Sequence, residues 1–258
     1  MISANRVRRC LSEGRPALGP IISFDSPWFV DVAGASGFDF VMLDAEHGPL
    51  DAGSIETMVR AAEQAGIAPL VRVPANLPHE ILRYLDIGAV GIQVPHVESA
   101  AEAKVAADAL RYAPRGKRGL AGTTRAAGYG LSMTLPEYTE LANREVVCMA
   151  MIETAAGVAS VDKIVATEGI DLLAIGPSDL SQSMGFRGDR NAPAVQQAID
   201  HMIARAKAHG KWVSLPAVDV ASAREVLARG VNLVMVSPAS WLAKIGREFL
   251  AGVGGAGR

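Results

Sequence analysis

Four short runs in this chain place charged groups directly after apolar stretches: Asp44-Ala45-Glu46-His47-Gly48-Pro49, Val71-Arg72-Val73-Pro74, Met151-Ile152-Glu153-Thr154 and Ile175-Gly176-Pro177-Ser178-Asp179-Leu180. A charge abutting a buried segment is costly unless it is paired or bound to a metal. Glu153 and Asp179 suit a hard divalent cation, since two carboxylates leave positions for water and substrate oxygens, an arrangement favouring Mg²⁺ or Mn²⁺. Taken singly, Glu153 could cap a helix and Asp179 could sit in a turn after Gly176-Pro177. His47 has the setting of a general base oriented by Asp44 or Glu46; an ordinary loop histidine is the plain alternative. Arg72 can clamp a carboxylate or stabilise an enolate oxygen, or it can close a salt bridge to Glu46 or Asp44. The backbone N–H groups of Ser178 and Asp179, if they open a helix, could hold a substrate carboxylate. His79, His96, His201 and His209 read as structural or surface residues, and no pair has the spacing H-E-x-x-H.

Other chemistries lack their signatures. There is no G-x-x-x-x-G-K-[ST] phosphate loop, no G-x-G-x-x-G dinucleotide fingerprint and no G-x-S-x-G nucleophile turn. Lys104, Lys163, Lys207, Lys211 and Lys244 fall on predicted helices or their ends and Lys117 in a long loop. None ends a predicted strand, where a Schiff-base lysine would be expected, so metal activation of a carbonyl is favoured over imine formation.

These runs need a scaffold that brings consecutive strand ends together. Short apolar runs predict buried parallel strands near Ala17–Ser23, Phe38–Leu43, Ala68–Val73, Ala89–Val94, Val146–Ile152, Asp171–Ile175, Trp212–Leu215 and Asn232–Val236. Helical patterns are clearest over Ser54–Ala65, Ser99–Arg111, Ala194–Ala208, Ala221–Ala228 and Trp241–Leu250, with Gly66, Gly210 and Gly230 placed as C-terminal caps. Eight strand-then-helix units predict an α/β fold, a closed (β/α)₈ TIM barrel, with a doubly wound open sheet as the structural rival. Tyr112 to Pro136, rich in Gly, Arg and Thr, reads as a long loop of functional length.

The chain has 258 residues, the size of one such barrel, and no linker divides it. It is read as a single domain over 1–258 with a flexible Gly/Ala tail from about 251. Half of it is hydrophobic and only 5% aromatic, which suits strands buried on both faces. Net charge is −2 without a basic run, so no nucleic-acid or anionic-lipid partner is expected. No apolar run approaches membrane length, and Met1 to Arg9 does not read as a signal peptide. Cys10 and Cys148 are expected to stay reduced, in a cytoplasmic protein.

Together these ordered motifs resemble the HpcH/HpaI aldolase family, from about Gly14 to the last helix, including Arg118-Gly119, Arg125-Ala126 and Met184-Gly185. The resemblance implies a class II pyruvate aldolase on a (β/α)₈ barrel, a homo-oligomer (hexamer or trimer) with the last helix exchanged between subunits. It implies a divalent ion (Mg²⁺, Mn²⁺ or Co²⁺) on Glu153 and Asp179. Arg72 would stabilise the pyruvate enolate. His47, supported by Asp44, would move protons, and the amides of Ser178 and Asp179 would hold the carboxylate. Asp86 matches a family aspartate that reaches a neighbouring subunit's site. Met151 departs from the pattern, because close relatives often carry Gln two residues before the metal-binding Glu. The expected reaction makes or breaks a 4-hydroxy-2-oxo acid from a 2-oxo acid (pyruvate or hydroxypyruvate) and an aldehyde. Its rivals are a CoA-thioester lyase of the citrate lyase β-subunit type, an oxaloacetate decarboxylase and a barrel kept only for binding. Arg72→Ala is expected to cut turnover and leave the fold intact.

Overall fold

The computed structural model describes residues 4–254. Eight parallel strands among them close on themselves: β1 (Ala17–Ile22), β2 (Phe40–Asp44), β3 (Ala68–Arg72), β4 (Gly91–Val94), β5 (Val147–Ile152), β6 (Leu172–Ile175), β7 (Trp212–Ala217) and β8 (Leu233–Val236). Each pairs with the next, and β1 also pairs with β8, Ala17 opposite Leu233. That closure excludes the open-sheet rival, in which the first and last strands would not meet. All eight predicted strands are present, shifted at their ends by a few residues.

The helices are α1 (Arg6–Ser12), α2 (Pro27–Ala35), α3 (Ala52–Gln64), α4 (Pro78–Asp86), α5 (Ala100–Leu110), α6 (Leu135–Glu145), α7 (Ala155–Ala159), α8 (Val161–Val165), α9 (Pro177–Ser183), α10 (Pro193–Ala208), α11 (Val220–Ala228) and α12 (Pro238–Gly254). Several were not evident in the sequence. α2 and α4 each open on a proline, which reads as a breaker but is well tolerated in a first helical turn, where its missing N–H has no partner to lose. The predicted loop after Tyr112 holds, apart from a 3₁₀ turn at Gly128–Gly130, and α6 takes over at Leu135. Of the tail expected from about 251, residues 251–254 continue α12, and 255–258 lie outside the described residues.

Side chains alternate between two packed layers. Phe40, Met42, Leu70, Met149, Met151, Leu172 and Leu233 fill the barrel interior, while Val41, Leu43, Val71, Ile92, Cys148 and Ile152 pack outward against helices. α1 closes the N-terminal end, its Val7, Cys10 and Leu11 joining the interior cluster. With that end plugged, the C-terminal mouth is where polar groups can meet a ligand.

Candidate active site

The predicted charged residues converge at that mouth. Asp44 ends β2 and Arg72 ends β3, and the register pairs them directly. Their side chains form a two-pronged ion pair, Nε to Oδ1 at 2.8 Å and Nη2 to Oδ2 at 2.6 Å, with both groups more than nine-tenths buried. Burial alone would raise the Asp44 pKa; the hydrogen bonds and charge of Arg72 overcome it and hold the carboxyl below its ordinary value. Asp44 Oδ1 also accepts the backbone N–H groups of Glu46 and His47, which folds the chain sharply after β2.

That turn delivers Glu46 beside Arg72, Oε2 to Nε 3.3 Å. Glu46 Oε2 is buried and accepts no hydrogen bond. Burial pushes the Glu46 pKa up, against the pull of Arg72, His47 and His96. Glu153, just beyond β5, is buried too, and its Oε1 accepts the backbone N–H of His96 at 2.8 Å. Desolvation raises its pKa, opposed by His96 and reinforced by the charges of Glu46 and Asp179. His96 Nδ1 lies 3.3 Å from Glu153 Oε1 and its Nε2 3.6 Å from Glu46 Oε1. One donor atom each from Glu46, His96 and Glu153 falls within a 4.8 Å cluster. Two carboxylates driven toward neutrality by burial, one with an oxygen that accepts nothing, form a donor set that a divalent cation would satisfy.

A cavity of about 300 Å³ opens beside this cluster, lined by His47, Arg72, Gln93, Met151, Ser178 and Asp179 among others. Gly176 caps α9 without a side-chain hydrogen bond and leaves the first-turn amides of Ser178 and Asp179 at the cavity edge. A Cβ at Gly176 would lie 2.6 Å from Met151 Cε and 2.7 Å from Glu153 Oε2, so only glycine lets β6 pass this close to the acid.

Several expectations are refined by these positions. Arg72 both closes the salt bridge and lines the cavity. The Asp44 side chain holds Arg72 and the backbone of His47, whereas the His47 imidazole lies nearer Glu46, at 3.8 Å, and is largely exposed. Glu153 clusters with Glu46 and His96, and Asp179 sits apart from that cluster on the cavity wall. Asp86 lies at the C-terminal end of α4, at the opposite end of the barrel, where it pairs with Arg118 at 2.9 Å. Within one chain it takes no part in the mouth.

His96, expected to be structural or a surface residue, is exposed and has a further feature. It follows β4 with a left-handed φ of 52°, a conformation uncommon outside glycine, and stands between the two acids. A histidine right after Val94-Pro95 at a strand end was the available signal. Gln93 was also overlooked, hidden in an apolar strand whose interior face is invisible without the barrel's register.

Comparison with known proteins bears on the fold and the family. The family model described as HpcH/HpaI aldolase/citrate lyase matches residues 22–239. A 5-keto-4-deoxy-D-glucarate aldolase of Salmonella arizonae is 38% identical, with 97% of this chain and 96% of that protein covered. The crystal structure of an HpcH/HpaI aldolase/citrate lyase family protein from Burkholderia cenocepacia superposes with a TM-score of 0.91 at 34% identity, covering 97% of this chain and 99% of the other. The HpcH/HpaI aldolase from Desulfitobacterium hafniense gives a TM-score of 0.90 at 27% identity, covering 97% and 98%.

Proposed function

The chain belongs to the HpcH/HpaI aldolase/citrate lyase family, and on that premise we propose that it is a metal-dependent aldolase, making or cleaving 4-hydroxy-2-oxo acids through the enolate of a small 2-oxo acid. It is a carbon–carbon lyase. The observation that carries the finer reading is the buried acid cluster, with a Glu46 oxygen that accepts no hydrogen bond, next to a small cavity lined by the Arg72 side chain.

The family implies a divalent ion. Glu153 and Asp179 are the residues we assign to it, with Glu46 and His96 close by. Once bound, such an ion would polarise the ketone of the oxo acid and acidify its methyl group. The remaining work falls to the chain. Arg72, fixed by Asp44, points a preorganised positive group at the oxygen that becomes the enolate. The exposed imidazole of His47, whose backbone Asp44 holds, can exchange protons between the bound acid and water. The amides of Ser178 and Asp179 receive the carboxylate, which is supported by the absence of any side-chain cap on α9. The apolar walls Ile21, Ile175 and Met235 keep the site dry, which strengthens each of these contacts.

The same reading makes the protein a homo-oligomer, supported by the apolar face of α12, which the chain leaves exposed. It also favours a reducing compartment such as the cytoplasm. Cys10 and Cys148 are buried free thiols, and no helix among the described residues is long and apolar enough to cross a membrane.

The test needs no knowledge of the aldehyde. Exchange of the pyruvate methyl protons is followed by NMR in D₂O with Mg²⁺, Mn²⁺ or Co²⁺ and then with chelator. Exchange that depends on metal is expected. Exchange that survives exhaustive chelation would remove the metal from the mechanism, and no exchange with any of the ions would remove pyruvate as donor and move weight to a thioester.

A further inference from the structure

Gln93 has no assigned part in the site, yet its surroundings are unusual. It lies in β4 opposite Arg72 of β3 and Met149 of β5, on the interior face of the barrel. It is 1% exposed and lines the cavity with Arg72 and Met151. Its Nε2 donates to the thioether of Met151, 3.1 Å away, and its Oε1 has no partner at all. Turning the amide over gives no relief. A thioether only accepts, so the NH₂ end belongs on the sulfur and the oxygen must face elsewhere. A neutral acceptor buried without a donor costs about 1–3 kcal/mol. Leucine or methionine would fill the same volume without that cost, so the carboxamide serves no packing purpose here.

We infer that Gln93 reads the 2-oxo acid, its Oε1 accepting a hydrogen bond from a hydroxyl beside the ketone and its Nε2 leaving the Met151 sulfur for a ligand oxygen. The inference rests on the aldolase reading of the same cavity. Its consequence is specificity. Pyruvate offers carbonyl and carboxylate oxygens, which satisfy the NH₂ end alone. A 3-hydroxylated 2-oxo acid offers a donor as well, and satisfies both ends. A site with a buried polar group discriminates against the ligand that leaves it unpaired. Hydroxypyruvate is therefore the better donor.

The experiment compares the intact protein with Gln93→Leu and Gln93→Glu. Dissociation constants for pyruvate and hydroxypyruvate are measured by calorimetry in saturating Mn²⁺, alongside thermal unfolding and pyruvate proton exchange. The parent is expected to bind hydroxypyruvate about tenfold more tightly than pyruvate, and Gln93→Leu to lose that preference. Gln93→Leu should unfold at the same temperature as the parent or higher, because it removes an unsatisfied group; a structural glutamine would move the unfolding and leave the binding ratio alone. Gln93→Glu keeps the acceptor oxygens and should retain a preference for the hydroxylated acid. An unchanged ratio in Gln93→Leu, while the parent still exchanges pyruvate protons, overturns the role of Gln93 and leaves the aldolase reading standing. A parent that binds neither acid and exchanges no protons overturns both.

Discussion

Arg72 shows why a single residue here cannot be assigned one purpose. In the proposed mechanism its guanidinium faces the developing enolate, and it is also the counter-charge of a buried Asp44. Removing one partner of a buried pair strands the other, at a cost of about 3–5 kcal/mol. Arg72→Ala should therefore lose enolate formation and also unfold at markedly lower urea concentration, unlike the purely kinetic defect read from the sequence. Adding Asp44→Ala should recover much of the stability and none of the proton exchange. Equal stability of Arg72→Ala and the parent would show that the pair is far better solvated than its burial indicates. The sequence made this pair legible because both residues close apolar runs. Glu153 and Asp179 were legible on the same ground. His96 and Gln93 were not. The first looked like any lone histidine, and the second, buried inside a strand, declares itself only through an unpaired oxygen that the closed barrel creates.

Among the elements, α1 decides which end of the barrel is available for chemistry. It is held down by Asp39, just before β2, whose carboxylate accepts from Arg6 at 3.1 Å, from Arg15 at 3.0 Å and from the Leu18 backbone at 3.1 Å. Burial would raise the Asp39 pKa; those hydrogen bonds and charges reverse the effect and lower it below the ordinary carboxylate value. A depressed folded pKa means that the stabilisation is complete above the unfolded pKa and is lost as pH falls through the folded one. Asp39→Asn should thus be less stable than the parent by about 1–3 kcal/mol near neutrality. The gap should shrink in acid, where the parent's Asp39 becomes protonated. Urea titrations of both proteins across the acid range would show it, and a gap that does not narrow would assign the effect to packing. α1 itself escaped the sequence reading, since seven residues with scattered arginines have no convincing apolar stripe until the barrel end receives Val7, Cys10 and Leu11. The strands were legible for the opposite reason: buried on both faces, they announce themselves as apolar runs whatever surrounds them. Closure was expected from the count of eight strand-then-helix units, and the β1–β8 pairing, between residues more than two hundred positions apart, completes it.

At the scale of the whole molecule, the last helix leaves most of its apolar surface unpacked against the barrel that precedes it. Of the seventeen residues of α12, only Pro238 is buried. Trp241 stacks on Phe38 at 6.0 Å and anchors the helix start. Beyond that point Leu242, Ile245, Phe249, Leu250 and Val253 are between 55% and 74% exposed. A helix packed on its own barrel would turn such a stripe inward. The groove between its start and the barrel, about 700 Å³ and lined by Phe38, Val220, Trp241 and Ile245, is apolar as well, so the exposed stripe runs on into an apolar groove. In the homo-oligomer proposed above, a second copy would cover this surface, and a two-fold contact of that kind closes with symmetry instead of running on into fibres. Leu242→Glu combined with Phe249→Glu puts two charges into the contact without touching any residue of the mouth. Sedimentation velocity should show the parent as a homo-oligomer at micromolar concentration and the double variant as a monomer with its far-ultraviolet circular dichroism intact. A double variant that sediments with the parent would mean that α12 lies outside the interface. A monomeric parent would mean that the exposed stripe is covered by something other than its own kind.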